Sequence, residues 1–94
     1  MKRPVISIIL PVYNGEDFVC EAVNSCIKQS VADGWELIIV DDGSTDGTHK
    51  KIDRYKKDQR IKCLRQDNGG PAAARNYGIN NSSGDFISII SMGL

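Results

Sequence analysis

The run Leu37-Ile38-Ile39-Val40 passes without a break into Asp41-Asp42-Gly43-Ser44-Thr45-Asp46-Gly47, and no other stretch narrows the choice of fold as much. An apolar run rich in β-branched residues and flanked by turn formers reads as a strand buried on both faces, the pattern of a parallel sheet. Two carboxylates stand where that strand leaves the sheet. Side chains alternate faces along a strand, so Asp41 and Asp42 point in different directions and cannot share one role. Gly43 permits a sharp turn or the close approach of a ligand, and Ser44 or Thr45 suits the cap of a following helix. Carboxylates at the carboxyl end of a strand stand where open α/β sheets bind ligands. The alternative at this point is that they only cap a helix and bind nothing.

The rest of the chain supplies a frame for that strand. Residues 5–12 are nearly all apolar and read as a first buried strand. Asn14 is placed to cap a helix, with Asp17 in the capping-box position. Over residues 16–30, Phe18, Val19, Ala22, Val23, Cys26 and Ile27 recur at helical spacing and define one face. Asp33-Gly34 ends that unit before a strand over 35–40. A second helix is expected over 45–57, with a thin apolar stripe of Ile52 and Tyr55. Residues 61–64 form a short third strand. The loop Gln66-Asp67-Asn68-Gly69-Gly70-Pro71 follows, with Pro71 suited to the first turn of a helix running to Asn80. A fourth strand covers 85–90. The order β-α-β-α-β-α-β predicts an α/β fold with right-handed crossovers and a parallel sheet.

Composition removes several function classes. Ninety-four residues support one domain, burying roughly 60–65% of the unfolded surface. Twelve basic residues balance twelve acidic ones, so the overall charge predicts no nucleic-acid partner. The basic surface of the second helix (Lys50, Lys51, Arg54, Lys56, Lys57) could meet anionic lipid, but with Asp53 and Asp58 interspersed it reads better as a solvated face. No apolar run is long enough to span a bilayer, and the first residues lack a signal-peptide pattern. Cys20, Cys26 and Cys63 are an odd set without a C-x-x-C pair, which favours free thiols in a reducing, cytoplasmic compartment. His49 is the only histidine, and no ligand spacing suggests a metal site. Pro11-Val12-Tyr13-Asn14-Gly15 stands where a G-x-G-x-x-G would follow the first strand, and there is no P-loop either. Residues 42–53 imitate a calcium loop, but a strand enters it where a helix is required.

Three segments together are far more specific than any one: Val5 to Asn14, Leu37 to Thr48, and Asn68-Gly69-Gly70-Pro71-Ala72-Ala73-Ala74-Arg75-Asn76-Tyr77-Gly78. In content, order and spacing they resemble the nucleotide-sugar-binding half of family 2 glycosyltransferases with the GT-A fold, over residues 4–90. The resemblance implies a three-layer, Rossmann-like open sheet of strand order 3-2-1-4, with a crevice beside the carboxyl ends of strands one, two and four. It implies that Pro11, Val12 and Tyr13 line the base pocket, with Tyr13 against the nucleobase. Asp42 would accept a hydrogen bond from the base, uracil N3–H first among the candidates. Arg75 would sit near the base or diphosphate, and Asn68, Gly69 and Gly70 would form a loop close to the nucleotide. The competing readings are that Tyr13 packs on the first helix and Arg75 is a surface residue, while Asp41 reads as a structural capping carboxylate.

The chain also departs from the family. The fourth strand should lead into an Asp-x-Asp motif that holds Mg²⁺ or Mn²⁺, but Ser91 and Gly93 stand in its place. No residues correspond to the acceptor half with its catalytic base. The expectation is therefore a truncated, nucleotide-sugar-binding subdomain over 1–94, with no catalytic and no metal-binding residue of its own. A complete relative would transfer the sugar, with inversion, to an acceptor glycan or lipid, in the cytoplasm or at the cytoplasmic membrane face. The alternative from another class is a non-catalytic nucleotide-binding or interaction module. An uncovered fourth strand with Phe86, Ile87, Ile89 and Ile90 predicts a homo-oligomer formed through that edge.

Overall fold

The computed structural model describes residues 4–29 and 34–90. Its centre is β2 (Trp35–Asp41), in which every residue is buried. β1 (Ile6–Val12) pairs with β2 in parallel, from Ile6 opposite Trp35 to Val12 opposite Asp41. β3 (Ile61–Arg65) flanks β2 on the other side, and β4 (Phe86–Ile89) pairs with β1. All pairs are parallel and the order is β3-β2-β1-β4, as the resemblance implied. The winding reverses between β1 and β4, so the chain leaves a crevice at their carboxyl ends.

Two apolar cores make the three layers. On one face Leu10, Val12, Leu37 and Ile39 pack with Val19, Val23 and Cys26 of α1 (Val19–Gln29) and Ile52 of α2 (Thr48–Asp53). On the other, Ile9, Ile38 and Val40 pack with Ala74 of α3 (Pro71–Asn80). Alternation along β1 and β2 sends successive side chains to opposite cores. Gly78 lets α3 lie close to the sheet, since a Cβ there would meet Ile9 Cγ2 at 2.6 Å.

The helices correct the sequence reading in three places. α2 has six residues, not the expected span over 45–57. Ile52 is its only buried aliphatic side chain, so little holds the following residues in a helix, and 54–56 close as turns with N–H groups bonding three residues back. α1 begins at Val19 rather than 16, and the Asn14 capping box does not form. Asn14 takes a left-handed conformation, φ 48°, and its Oδ1 accepts the Thr45 N–H instead. Ser44 and Thr45 do not cap α2 either. Its N-cap is Gly47, without a side-chain cap bond. The expected end of α1 at Ser30 lies outside the described residues.

The basic surface of α2 is largely engaged locally. Lys56 pairs with Asp53 at 2.9 Å, and the Lys51 ammonium donates to the Glu16 carbonyl at 2.6 Å. Cys20, Cys26 and Cys63 are all free thiols. β4 is exposed along its whole length, Phe86 by 66%. Ile90, expected at the open edge, is half-buried and packs against the α1-side core.

Candidate functional site

The turn after β2 sends its two carboxylates to different tasks. Asp41 is buried and structural: its Oδ1 accepts the Ser44 N–H at 2.9 Å, and its Oδ2 accepts from the Arg65 guanidinium at 3.1 Å. Asp42 faces the β3–α3 loop. Its Oδ1 accepts from Gln66 Nε2 and the Gly69 N–H, each at 2.8 Å. Its Oδ2 accepts from the Gly70 N–H at 3.1 Å and Asn68 Nδ2 at 3.2 Å. A carboxylate only 4% exposed is thus fully hydrogen-bonded, which offsets its desolvation. Gly43, at φ 72°, permits the close contact of the two loops, because a Cβ there would lie 2.7 Å from Asn68 N.

These loops bound a cavity of about 580 Å³, within the roughly 300–1,000 Å³ range of small-molecule sites. It opens at the carboxyl ends of β1, β2 and β4. Pro11, Val12, Tyr13, Asp42, Asn68, Gly70 and Arg75, all expected at the site, line it. Gly69 does not line it and acts instead as a donor to Asp42. The Tyr13 ring is half exposed, so it is not consumed in packing against α1. Arg75, on α3, is half-buried and is the one cationic side chain among the described residues of the lining.

The cavity also has walls that sequence reasoning missed. Phe18 lines it while 59% exposed, although its helical spacing had placed it on the core face of α1. Ile89 and Ile90 supply the β4 wall, and the strand order that puts β4 beside β1 was the signal for them. Asn14 and Gly15 complete the rim.

Among the described residues no three metal-ligating side chains converge, and Asp42, the acidic residue in the cavity lining, is committed to four donors. Ser91 and Gly93 lie outside the described residues.

An open, doubly wound α/β sheet with its cavity at the strand-order reversal defines the class: an α/β domain with its crevice where such sheets take ligands. Residues 7–91 match the model of glycosyl transferase family 2, and the chain belongs to that family. It is 45% identical over 92 residues to a Haemophilus influenzae protein named only as an uncharacterized glycosyltransferase, covering 96% of this chain and 36% of that one. It is 39% identical over 88 residues to the glycosyltransferase GlyG of Streptococcus pneumoniae, covering 92% of this chain and 29% of the other. The chain therefore spans about a third of these relatives. Solved GT-A structures superpose closely. S. aureus TarS 1–349 in complex with UDP-GlcNAc gives a TM-score of 0.83 at 31% identity, over 93% of this chain and 26% of that one. The mannosyltransferase PcManGT of Pyrobaculum calidifontis, in complex with GDP-Man and Mn²⁺, gives 0.86 at 26% identity, over 97% and 28%.

Proposed function

We propose that this chain is the nucleotide-sugar-binding part of a glycosyltransferase and that its crevice takes a uridine diphosphate sugar. The observation that carries the reading is the convergence on one cavity of a half-exposed tyrosine ring, a buried carboxylate and a single guanidinium. A nucleobase stacks on Tyr13. Asp42 accepts its N–H, and Arg75 offers several donors to the diphosphate. The family resemblance and the nucleotide-sugar complexes of TarS and PcManGT support this assignment.

In the whole protein the reaction is an in-line displacement. The acceptor hydroxyl oxygen of a glycan or lipid bonds to the anomeric carbon as the bond to the diphosphate oxygen breaks, so the configuration inverts. The diphosphate leaves with the electron pair, and the hydroxyl proton passes to a carboxylate base. We assign that base to polypeptide beyond this chain, along with the acceptor site. These residues contribute binding and orientation, which can supply several kcal/mol of barrier reduction. The isolated chain should therefore bind nucleotide without transferring sugar. Free thiols and the absence, among the described residues, of a helix able to cross a membrane suit a cytoplasmic site of action, at the membrane face for a lipid acceptor. Two copies of the isolated chain pair along the open edge of β4.

Calorimetric titration tests the base assignment. Uracil N3 carries a hydrogen for Asp42, whereas cytosine N3 is an acceptor and would face the carboxylate unpaired. That mismatch costs on the order of 1–3 kcal/mol, so UDP should bind roughly ten- to hundredfold more tightly than CDP. Equal affinities would remove Asp42 from base recognition. Tighter binding of GDP would overturn uracil while keeping the crevice as a nucleotide site.

A further inference from the structure

The β1–α1 and β2–α2 loops are fastened to each other by side chains. The Asn14 N–H donates to Ser44 Oγ at 2.8 Å, the Gly15 N–H to Thr48 Oγ1 at 2.9 Å, and the Glu16 N–H to Asp46 Oδ2 at 3.4 Å. In the other direction Asn14 Oδ1 accepts from the Thr45 N–H at 2.8 Å and the Thr45 hydroxyl at 3.3 Å. Three successive N–H groups ahead of α1 are thus satisfied by the neighbouring loop. The carboxyl of Asp46 lies below its ordinary value: desolvation pushes it up, but hydrogen bonds from the Thr48 hydroxyl and N–H and the Glu16 N–H outweigh that. It is held as the anion that this fastening requires.

Asn14 is the only described non-glycine residue with positive φ, a conformation for which asparagine is several-fold enriched. Its backbone N–H donates to Ser44 and its side-chain Oδ1 accepts from Thr45, so both its main chain and its side chain hold the opposite loop. Tyr13 precedes it directly. On the other side of Tyr13, the Val12 carbonyl accepts the Asp42 N–H at 2.8 Å. The backbone of Tyr13 is therefore held between a bond to Asp42 and the Asn14 contact.

We infer that Asn14 is a positioning residue for the nucleotide site. Its left-handed turn and its hydrogen bonds with Ser44 and Thr45 set the ring of Tyr13 relative to the Asp42 carboxylate, so the stacking face is ordered before the nucleotide arrives. The inference rests on the nucleotide-binding reading above. Pre-organisation of this kind raises affinity by removing the cost of ordering the loop on binding.

Two substitutions separate backbone shape from hydrogen bonding. Asn14→Gly keeps access to the left-handed conformation but removes the Oδ1 acceptor, while Asn14→Asp keeps an acceptor there. The Asn14→Gly chain should show faster hydrogen exchange at the Thr45 amide, altered Tyr13 ring resonances without change at Tyr77, and about tenfold weaker UDP binding. Asn14→Asp should restore UDP affinity to within about threefold. Unchanged Thr45 exchange and Tyr13 resonances in Asn14→Gly would overturn the inference, as would UDP affinity equal to that of the unmodified chain. If the unmodified chain bound no nucleotide, the function proposed above would fail, and exchange and ring signals would still decide whether Asn14 sets the position of Tyr13.

Discussion

Asp42 has four donors on its carboxylate, and a carboxylate offers about four lone-pair sites. A nucleobase N–H can reach it only if one donor withdraws. The Gly69 and Gly70 donors are backbone and move only with the loop, and the Asn68 amide is also held by the Asp42 carbonyl at 3.1 Å, whereas Gln66 gives a side-chain amide that can rotate into water. On this account Gln66 competes with the base. Gln66→Ala should hold or raise UDP affinity, by up to about tenfold for one net hydrogen bond, measured by titration against the unmodified chain. A tenfold loss would mean that Gln66 supports the site rather than guards it. The separate fates of Asp41 and Asp42 were legible from strand alternation alone. The four donors on Asp42 were not, because they come from residues 24 to 28 positions away in sequence.

At the scale of elements, the strands were legible and the helix ends were not. The apolar runs over residues 8–12 and 37–40, inside Ile6–Val12 and Trp35–Asp41, read as strands buried on both faces. Helix starts depend on which partner a polar side chain finds. Asn14 and Ser44 are good helix caps locally, yet each satisfies the opposite loop instead. A second long-range polar tie lies at the other end of the sheet. Glu36 on β2 is 6% exposed; its Oε2 accepts from the Ser7 hydroxyl and the Ser83 N–H, each at 2.6 Å. Its Oε1 pairs with Lys62 at 3.2 Å. Burial pushes its carboxyl up, but these bonds and the Lys62 charge bring it below the ordinary value. A lowered folded pKa stabilises the fold above the unfolded value of about 4.3, and that stability is lost as pH falls through the folded value. Glu36→Gln should cost about 1–3 kcal/mol at pH 7. Its deficit should shrink on acidification below about pH 4. Urea unfolding at both pH values measures this, and a deficit independent of pH would contradict the role.

Over the whole molecule the two ends of the sheet differ in kind. The amino end is tied shut by Glu36 and the carboxyl end opens into the cavity, so the buried polar tie and the cavity occupy opposite ends of the same strands. At the β4 side the sheet presents an exposed strand. Phe86, Ile87 and Ile89 are exposed by 66%, 43% and 45%, and no lysine or proline within Phe86–Ile89 blunts the edge. Antiparallel pairing of β4 with β4 of a second copy is self-complementary and closes as a twofold dimer. Light scattering should report a dimer, and Ile87→Lys should return it to monomer. A monomeric unmodified chain at about millimolar concentration, where weak association of roughly 4 kcal/mol would already show, would contradict that assembly.

The central claim is that the cavity at the carboxyl ends of β1, β2 and β4 is a nucleoside diphosphate site. The most direct measurement is the map of backbone and tyrosine-ring resonance changes as UDP is added to this chain. The account predicts saturable changes concentrated at Tyr13, Asp42, Asn68, Gly70 and Arg75, with the Glu36–Ser83 end of the sheet unmoved. Changes absent from that set, or centred on the amino end of the sheet or on the exposed face of α2, would contradict it.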